Sequence, residues 1–411
     1  MKRLCVGVIA LLLALAQAAS AAGETRLMVV SDIHYLAKPL YEGSEAFLRA
    51  LRAGDGKLTQ YGDELLTALL GEVERLRPDA LLVTGDLSFN GEKASHVALA
   101  EWLARIEALG VPVWVIPGNH DINVAAPHGF TPDGWYVTEG VDAPAFSEIY
   151  ADFLLPAEGN ANLSYCVPVS DALWVAMTDV SYYKDAAQTF GIFTSGHAAW
   201  LERALEAARS AGTEVITATH HNLLAHTDFS RDSYLMFGNE EMAALARRYG
   251  VRLNLSGHLH IQHILADDGL ADAALGAFCT WPHRYALVTL ADDGALNYSA
   301  RALDPALLPE GFGEMSREWF EGIAAEKARA GLMDGSLPKD EAETMADYAA
   351  RFNLACFEGS FDGADPAWRE DPAYALWARF PRNPFWQYMK MLMDTPAGDN
   401  LNYVAEPCPE P

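Results

Sequence analysis

Five short apolar runs along the chain each end in polar residues capable of chemistry: TRLMVVSDIH (25–34), DALLVTGDLS (79–88), VPVWVIPGNHD (111–121), EVITATHHN (214–222) and VRLNLSGHLH (251–260). Their length and composition predict strands. Between them lie stretches with helical spacing: Tyr61 to Leu76, where Leu65, Leu66, Leu69, Leu70 and Val73 share a face, then Lys93 to Leu109, His197 to Ala208 and Glu240 to Tyr249. Strands and helices alternating in this way predict an α/β fold, in which ligands collect beyond the carboxyl ends of strands. Further strand-like runs are LSYCVPV, ALWVAMTDV, YALVTLAD and ALNYSARAL, the last two joined as a hairpin about Asp293-Gly294. The expected architecture is a four-layer α/β/β/α sandwich of two mixed sheets flanked by helices.

After Leu303 the pattern changes. The loop-forming DPALLPEGFGE leads into a region rich in Ala, Glu, Trp and Met, read as a mainly helical C-terminal extension over 304–411 behind a catalytic domain over 23–303. Met345, Tyr348, Phe352 and Cys356 follow one helical spacing; Tyr374, Trp377, Met389 and Leu392 mark another, interrupted by Pro381 and Pro384. These aromatics read as a packing face rather than a ligand site. At the other end, MKR followed by LCVGVIALLLALA and Ala19-Ser20-Ala21 predicts a signal peptide over 1–22 and an exported protein, periplasmic, cell-surface or secreted, with no membrane-spanning segment left after cleavage. Cleavage removes Cys5 and leaves Cys166, Cys279, Cys356 and Cys408, which are either disulfide-bonded in one of three pairings or buried as thiols.

A formal net charge of −27 disfavours long polyanions such as DNA or RNA as partners. A small anion can still bind where a strong positive charge sits in the site. No cluster of Lys and Arg supplies one, so the composition points to metal ions.

The polar endings of the strands are where such ions belong: Asp32-Ile33-His34, Gly85-Asp86, Gly118-Asn119-His120-Asp121, His220-His221 and Gly257-His258-Leu259-His260. In an extended backbone residues i and i+2 project to one side, so D-x-H and H-x-H each aim two ligands at one point. The glycines before Asp86, Asn119 and His258 let the backbone turn sharply beside the site. Asp32, His34, Asp86, Asn119, His220, His258 and His260 make a mixed oxygen and nitrogen shell suited to Mn, Fe, Zn or Co. That is too many ligands for one catalytic ion. It suits two divalent or trivalent transition-metal ions about 3.5–4 Å apart sharing a carboxylate, an arrangement used for in-line displacement at phosphorus.

In this order D-x-H, GD, GNH[DE], H and GHxH resemble the calcineurin-like metallophosphoesterases, over roughly Arg26 to Leu303. The resemblance implies that Asp32, His34 and His260 hold one metal, Asn119, His220 and His258 the other, and that Asp86 bridges. It also implies that His120 protonates the leaving oxygen and Asp121 orients it. GDLSF has Phe89 where purple acid phosphatases of the same superfamily carry a tyrosine ligand, which argues against an iron-tyrosinate site. GDLSFNGEKASH, PGNHDIN, HHNLLAH and WPHRY are similar to secreted bacterial members related to class III cyclic-nucleotide phosphodiesterases, which offers Asn90, His221, Asn222, Tyr234, His283 and Arg284 as substrate contacts or supporting residues. His96, His128, His197 and His263 read as packing or surface residues. The expected activity is hydrolysis of small phosphodiesters, 2′,3′- or 3′,5′-cyclic nucleotides first, by a hydroxide held between the metals. A broad phosphomonoesterase or nucleotidase would use the same ions. A binding protein that has lost hydrolysis would be expected to lack a ligand, and every ligand type is present.

Overall fold

The computed structural model describes residues 24–407, apart from 42, 158, 160, 228–233, 333–336 and 396–397. The leader read at 1–22 and Cys408 lie outside the described residues. Strands β1 (Thr25–Val30), β2 (Ala80–Thr84) and β3 (Val113–Ile116) come first, followed by a small hairpin of β4 (His128–Phe130) and β5 (Trp135–Val137). Next come β6 (Tyr165–Pro168), β7 (Leu173–Met177), β8 (Glu214–Ala218) and β9 (Leu253–Ser256). The last are β10 (His263–Asp267), β11 (Leu270–Ala274), β12 (Arg284–Leu290), β13 (Leu296–Ala302) and β14 (Asn402–Ala405). One six-stranded sheet has the order β14-β13-β12-β1-β2-β3, the other β10-β11-β9-β8-β7-β6. β1, β2 and β3 run parallel, as do β7, β8, β9 and β11, while the remaining neighbours in each sheet are antiparallel.

Strand periodicity builds the layers. Leu27 and Val29 point into the core between the sheets with Leu82, Val175, Ile216 and Leu255, whereas Met28 and Val30 point outward onto helices with Leu81 and Val83. A strand buried on both faces needs apolar residues at successive positions, which is why RLMVV and ALLV are runs rather than alternations. The helices on the first sheet are α1 (Glu45–Ala53), α2 (Gly62–Leu76), α3 (Lys93–Glu107) and α4 (Ala143–Ile149); α5 (Ser195–Ala211) and α6 (Asn239–Arg248) cover the second. The four-layer α/β/β/α sandwich read from the sequence is the observed architecture.

The C-terminal region contributes α7 (Phe312–Ala330), α8 (Lys339–Glu358), α9 (Ala367–Glu370), α10 (Pro372–Trp377) and α11 (Pro384–Asp394). They share a core in which Met345, Tyr348, Phe352, Trp377 and Met389 are fully buried and into which the main domain inserts Leu259 and Ile261. The tail then returns as β14, extending the first sheet beyond β13. Among the described residues no helix is long and apolar enough to cross a membrane. Cys279 and Cys356 are buried free thiols, so no arrangement with two disulfides exists.

Candidate active site

The carboxyl ends of the parallel strands converge, and the residues there depart from strand geometry. Asp32, His34, Asp86, His258 and His260 have φ of 56°, 44°, 49°, 67° and 62°. The extended-backbone explanation for D-x-H and H-x-H is therefore corrected: both residues of each pair sit in left-handed turns just beyond β1 and β9. For an L residue that conformation costs about 1–2 kcal/mol, so strain is concentrated on side chains aimed at one point. Backbone bonds hold it in place, with the amide of Asp32 donating to Gly85 O at 3.1 Å and that of His34 to Asp86 O at 2.9 Å. Glycine is required alongside: a Cβ on Gly118 would fall 2.2 Å from Asp86 Oδ1, and one on Gly257 would fall 1.9 Å from Ser31 Oγ.

Two clusters result. Asp32, His34, Asp86 and His260 present ligand atoms within 4.8 Å of one another, and so do Asp86, His220 and His258. Asp86 belongs to both, with Oδ2 at 3.4 Å from His34 Nε2 and Oδ1 at 3.3 Å from His220 Nε2. Asn119 Oδ1 joins the second cluster at 3.1 Å from His220 Nε2. In the first, His260 Nε2 lies 3.2 Å from His34 Nε2 and 3.3 Å from Asp32 Oδ1. Such separations are the edges of a shell whose metal bonds are about 2.0–2.1 Å long, so the donors fit transition-metal ions in both clusters.

The far sides of the rings agree. His220 Nδ1 is 2.9 Å from Thr84 O and His260 Nδ1 is 2.6 Å from Asp55 Oδ2, which turns each Nε2 lone pair inward. Burial opposes charge on both imidazoles, yet Asp86 for His220 and Asp55 for His260, each aided by Asp32, carry them up to about 9. The pocket thus demands positive charge, which bound cations satisfy.

Around the clusters is a cavity of about 650 Å³. Lys57 lines it as a cation beside the clusters, 3.8 Å from Asp55 Oδ1. Neither Asp55 nor Lys57 was legible as a site residue. They belong to Gly54-Asp55-Gly56-Lys57, far in sequence from every strand end, and the one available signal was a glycine-flanked acid and base. The opposite wall comes from Phe320, Phe357, Phe385, Tyr388 and Leu392 of the C-terminal helices. Of the residues read as a packing face, Tyr348, Phe352 and Trp377 pack in the helical core, and Leu392 also lines the cavity.

His120 also lines the cavity. Its amide donates to Asp86 Oδ1 at 2.9 Å, and its ring stands edge-on to His34 with centroids 4.9 Å apart. The role expected of Asp121 is corrected. Its carboxylate accepts the amides of Gly118 at 2.7 Å, Ser88 at 2.9 Å and Leu87 at 3.1 Å, and the Ser88 hydroxyl at 3.1 Å, with no bond to the imidazole of His120. It staples the 118–121 turn to the loop carrying Asp86.

Of the six residues offered as substrate contacts, Tyr234 lines the cavity, its ring 4.9 Å from that of His258. His221 is buried behind His258, ring centroids 4.5 Å apart, and bonds Thr189 O at 3.2 Å. The other four make hydrogen bonds within the fold, as supporting residues do. Asn222 donates to Ser256 Oγ at 2.9 Å, and Asn90 donates to Ala126 O at 3.2 Å. Arg284 donates to Glu358 O, and the His283 ring is 3.0 Å from Phe278 O and 2.7 Å from Ser316 Oγ, tying the loop before β12 to α7. Phe89 packs with Phe47 and Phe130, ring centroids 6.1 Å and 6.3 Å away.

The fixing of His283 has a measurable consequence. Burial pushes its imidazole down to about 4, so the folded chain keeps it neutral while the unfolded chain protonates it below its ordinary value of about 6.5. The unfolded state then binds more protons, and stability falls as pH drops from about 6.5 to 4, by about 2 kcal/mol from this group at pH 5. His263, pushed to about 3 by burial and by neighbouring His226, acts in the same direction. Thermal melts are expected to shift downward between pH 7 and pH 5, and the slope should be shallower in His283→Gln.

The calcineurin-like phosphoesterase family model matches residues 25–262. A probable cyclic nucleotide phosphodiesterase of Synechococcus sp. is 44% identical over 54 residues, a segment that covers 13% of this chain and 20% of that protein. A dimetal phosphatase from Danio rerio aligns with a TM-score of 0.49 and 15% identity over 68% of this chain and 96% of that one. A purple acid phosphatase from yellow lupin aligns with a TM-score of 0.46 and 14% identity over 69% and 52% of the two chains.

Proposed function

The chain belongs to the calcineurin-like phosphoesterase family and is a metal-dependent hydrolase of phosphoric esters, and from that premise we propose that it is an exported phosphodiesterase for small diesters, cyclic nucleotides first. The observation that carries the proposal is the form of the cavity: two metal-type clusters sharing Asp86 at one end, a wall of apolar and aromatic side chains at the other, and His120 beside the clusters. A small diester such as a cyclic nucleotide carries one negative charge and an organic group to place on such a wall. A monoester brings up to two charges, and among the described residues lining the cavity only Lys57 and Lys327 are cationic side chains other than histidine. The Synechococcus match supports the same substrate class.

Asp32, His34, Asp86, Asn119, His220, His258 and His260 would hold the ions, which when bound would supply a nucleophile at neutral pH and neutralise phosphoryl oxygens. The chain's own residues do the rest. Asp55 and the Thr84 carbonyl orient His260 and His220; Lys57 adds positive charge where the substrate anion enters; His120 donates a proton to the departing oxygen; the C-terminal helices keep water from the organic group. The leader read at 1–22 makes the proposed site of action outside the cytoplasm.

Initial rates on bis(p-nitrophenyl) phosphate and p-nitrophenyl phosphate, with Mn, Fe, Zn or Co added in turn, test the reading. The diester is expected to be turned over with the higher kcat/KM. Preference for the monoester would replace the proposal with a phosphomonoesterase or nucleotidase on the same metals.

A further inference from the structure

The C-terminal wall of the cavity has a construction that packing alone does not require. Helix α11 divides its side chains: Trp386 and Met389 are buried in the helical core, while Phe385 and Tyr388, three residues apart and so on one face, line the cavity. Each of these two rings is braced from behind by a buried ring. Trp377 lies nearly parallel to Phe385 at 25° with centroids 6.1 Å apart, and its own Nε1 is tied to Met345 O at 2.9 Å. Phe352 stands edge-on to Tyr388 with centroids 6.3 Å apart. Tyr388 Oη donates to Asn353 Oδ1 at 3.1 Å, which commits that amide's oxygen and leaves its NH2 edge to meet an acceptor. Asn353 itself lines the cavity.

We propose that Phe385, Tyr388 and Asn353 form a subsite for a planar heteroaromatic group carried by the substrate, a nucleobase in the case of a nucleotide. The proposal rests on the phosphoester end of the cavity described above and adds what the other end selects. Leu259, Ile261, Ile323 and Leu392 also line the cavity, and it is the paired rings and the amide beside them that favour a planar polar ring over an aliphatic chain. Braced aromatic rings lose little freedom on stacking, and a single oriented NH2 reads a ring nitrogen or carbonyl. The cavity, at about 650 Å³, is of the size that holds one such ligand.

The test compares 2′,3′-cyclic AMP with 1-O-methylribose 2′,3′-cyclic phosphate, which has the same reacting phosphate and no base. The wild-type protein is expected to favour the base-bearing compound by about tenfold or more in kcat/KM, the gain typical of stacking one base. In Phe385→Leu/Tyr388→Leu, which keeps the apolar volume, that ratio is expected to fall towards unity, and Asn353→Leu should lower it as well. Absence of discrimination in the wild-type protein, or an equal fall on both compounds in the variants, overturns the subsite. If neither compound is hydrolysed, the phosphodiesterase reading fails, and the subsite is judged by calorimetric binding of adenosine 5′-monophosphate and ribose 5-phosphate to the metal-loaded protein. Base preference lost in the leucine variant upholds it; equal binding by the wild-type protein overturns it.

Discussion

Asp86→Asn is expected to empty both metal positions and to lower kcat/KM by at least on the order of 10³-fold. Asp86 is the residue common to both clusters, and it divides its oxygens between them, Oδ2 towards His34 and Oδ1 towards His220. Asparagine preserves the size of the side chain and an oxygen to accept the His120 amide, so the close approach of Gly118 remains possible. What it removes is the negative charge and the second donor oxygen. Neither cluster then keeps the carboxylate that offsets the repulsion between two cations a few ångströms apart. Elemental analysis after gel filtration measures the loss directly, and a variant that retains two tightly bound ions would refute the bridging assignment. His34→Ala, which touches one cluster, provides the contrast of a single lost ion.

What could be read from the sequence was whatever recurs with a period or sits beside the backbone that carries it. The runs 25–30 and 80–84 announce buried strands because both faces of each are covered, and the polar endings follow directly at their carboxyl ends. The helices read at Lys93 to Leu109 and Glu240 to Tyr249 are observed at Lys93–Glu107 and Asn239–Arg248, displaced only at their fraying ends. Long-range polar contacts leave no such trace. Asp55 reaches His260 across 205 positions. Asp272 is a second instance: from β11 it accepts the amides of Leu223 at 2.6 Å and Leu224 at 2.8 Å and bonds Asn254 and Ser256, so it props the loop that carries His220. The strand that holds it reads LADAA, too poor in β-branched residues to be seen as a strand. Which of the residues offered as substrate contacts or supporting residues face the cavity was not legible for a related reason. A buried histidine or asparagine has the same letter whether its polar atoms face a cavity or a carbonyl, and for His283 and Asn222 they face partners inside the fold.

His120→Gln should separate proton donation from metal binding. The imidazole sits in the cavity wall with Nδ1 buried and without a hydrogen-bond partner, while its backbone amide is fixed to Asp86. Burial holds its pKa below the ordinary value; Asp86 draws it up and Lys57 presses it down. Asp121, its carboxylate bonded to backbone amides, acts on His120 through its charge alone and also draws it up, and an anionic phosphoester arriving in the cavity further favours the protonated ring. Ribose oxygen leaves as a poor alkoxide and needs that proton, whereas p-nitrophenolate leaves without it. The variant is therefore expected to lose about 10²–10⁴-fold in kcat/KM on a cyclic nucleotide and less than about tenfold on bis(p-nitrophenyl) phosphate, with its metal content intact. Asp121→Asn, which loosens the staple between the 118–121 turn and the Asp86 loop, should depress both substrates alike. Equal losses on the two substrates in His120→Gln would show that the imidazole positions the turn and does not deliver a proton.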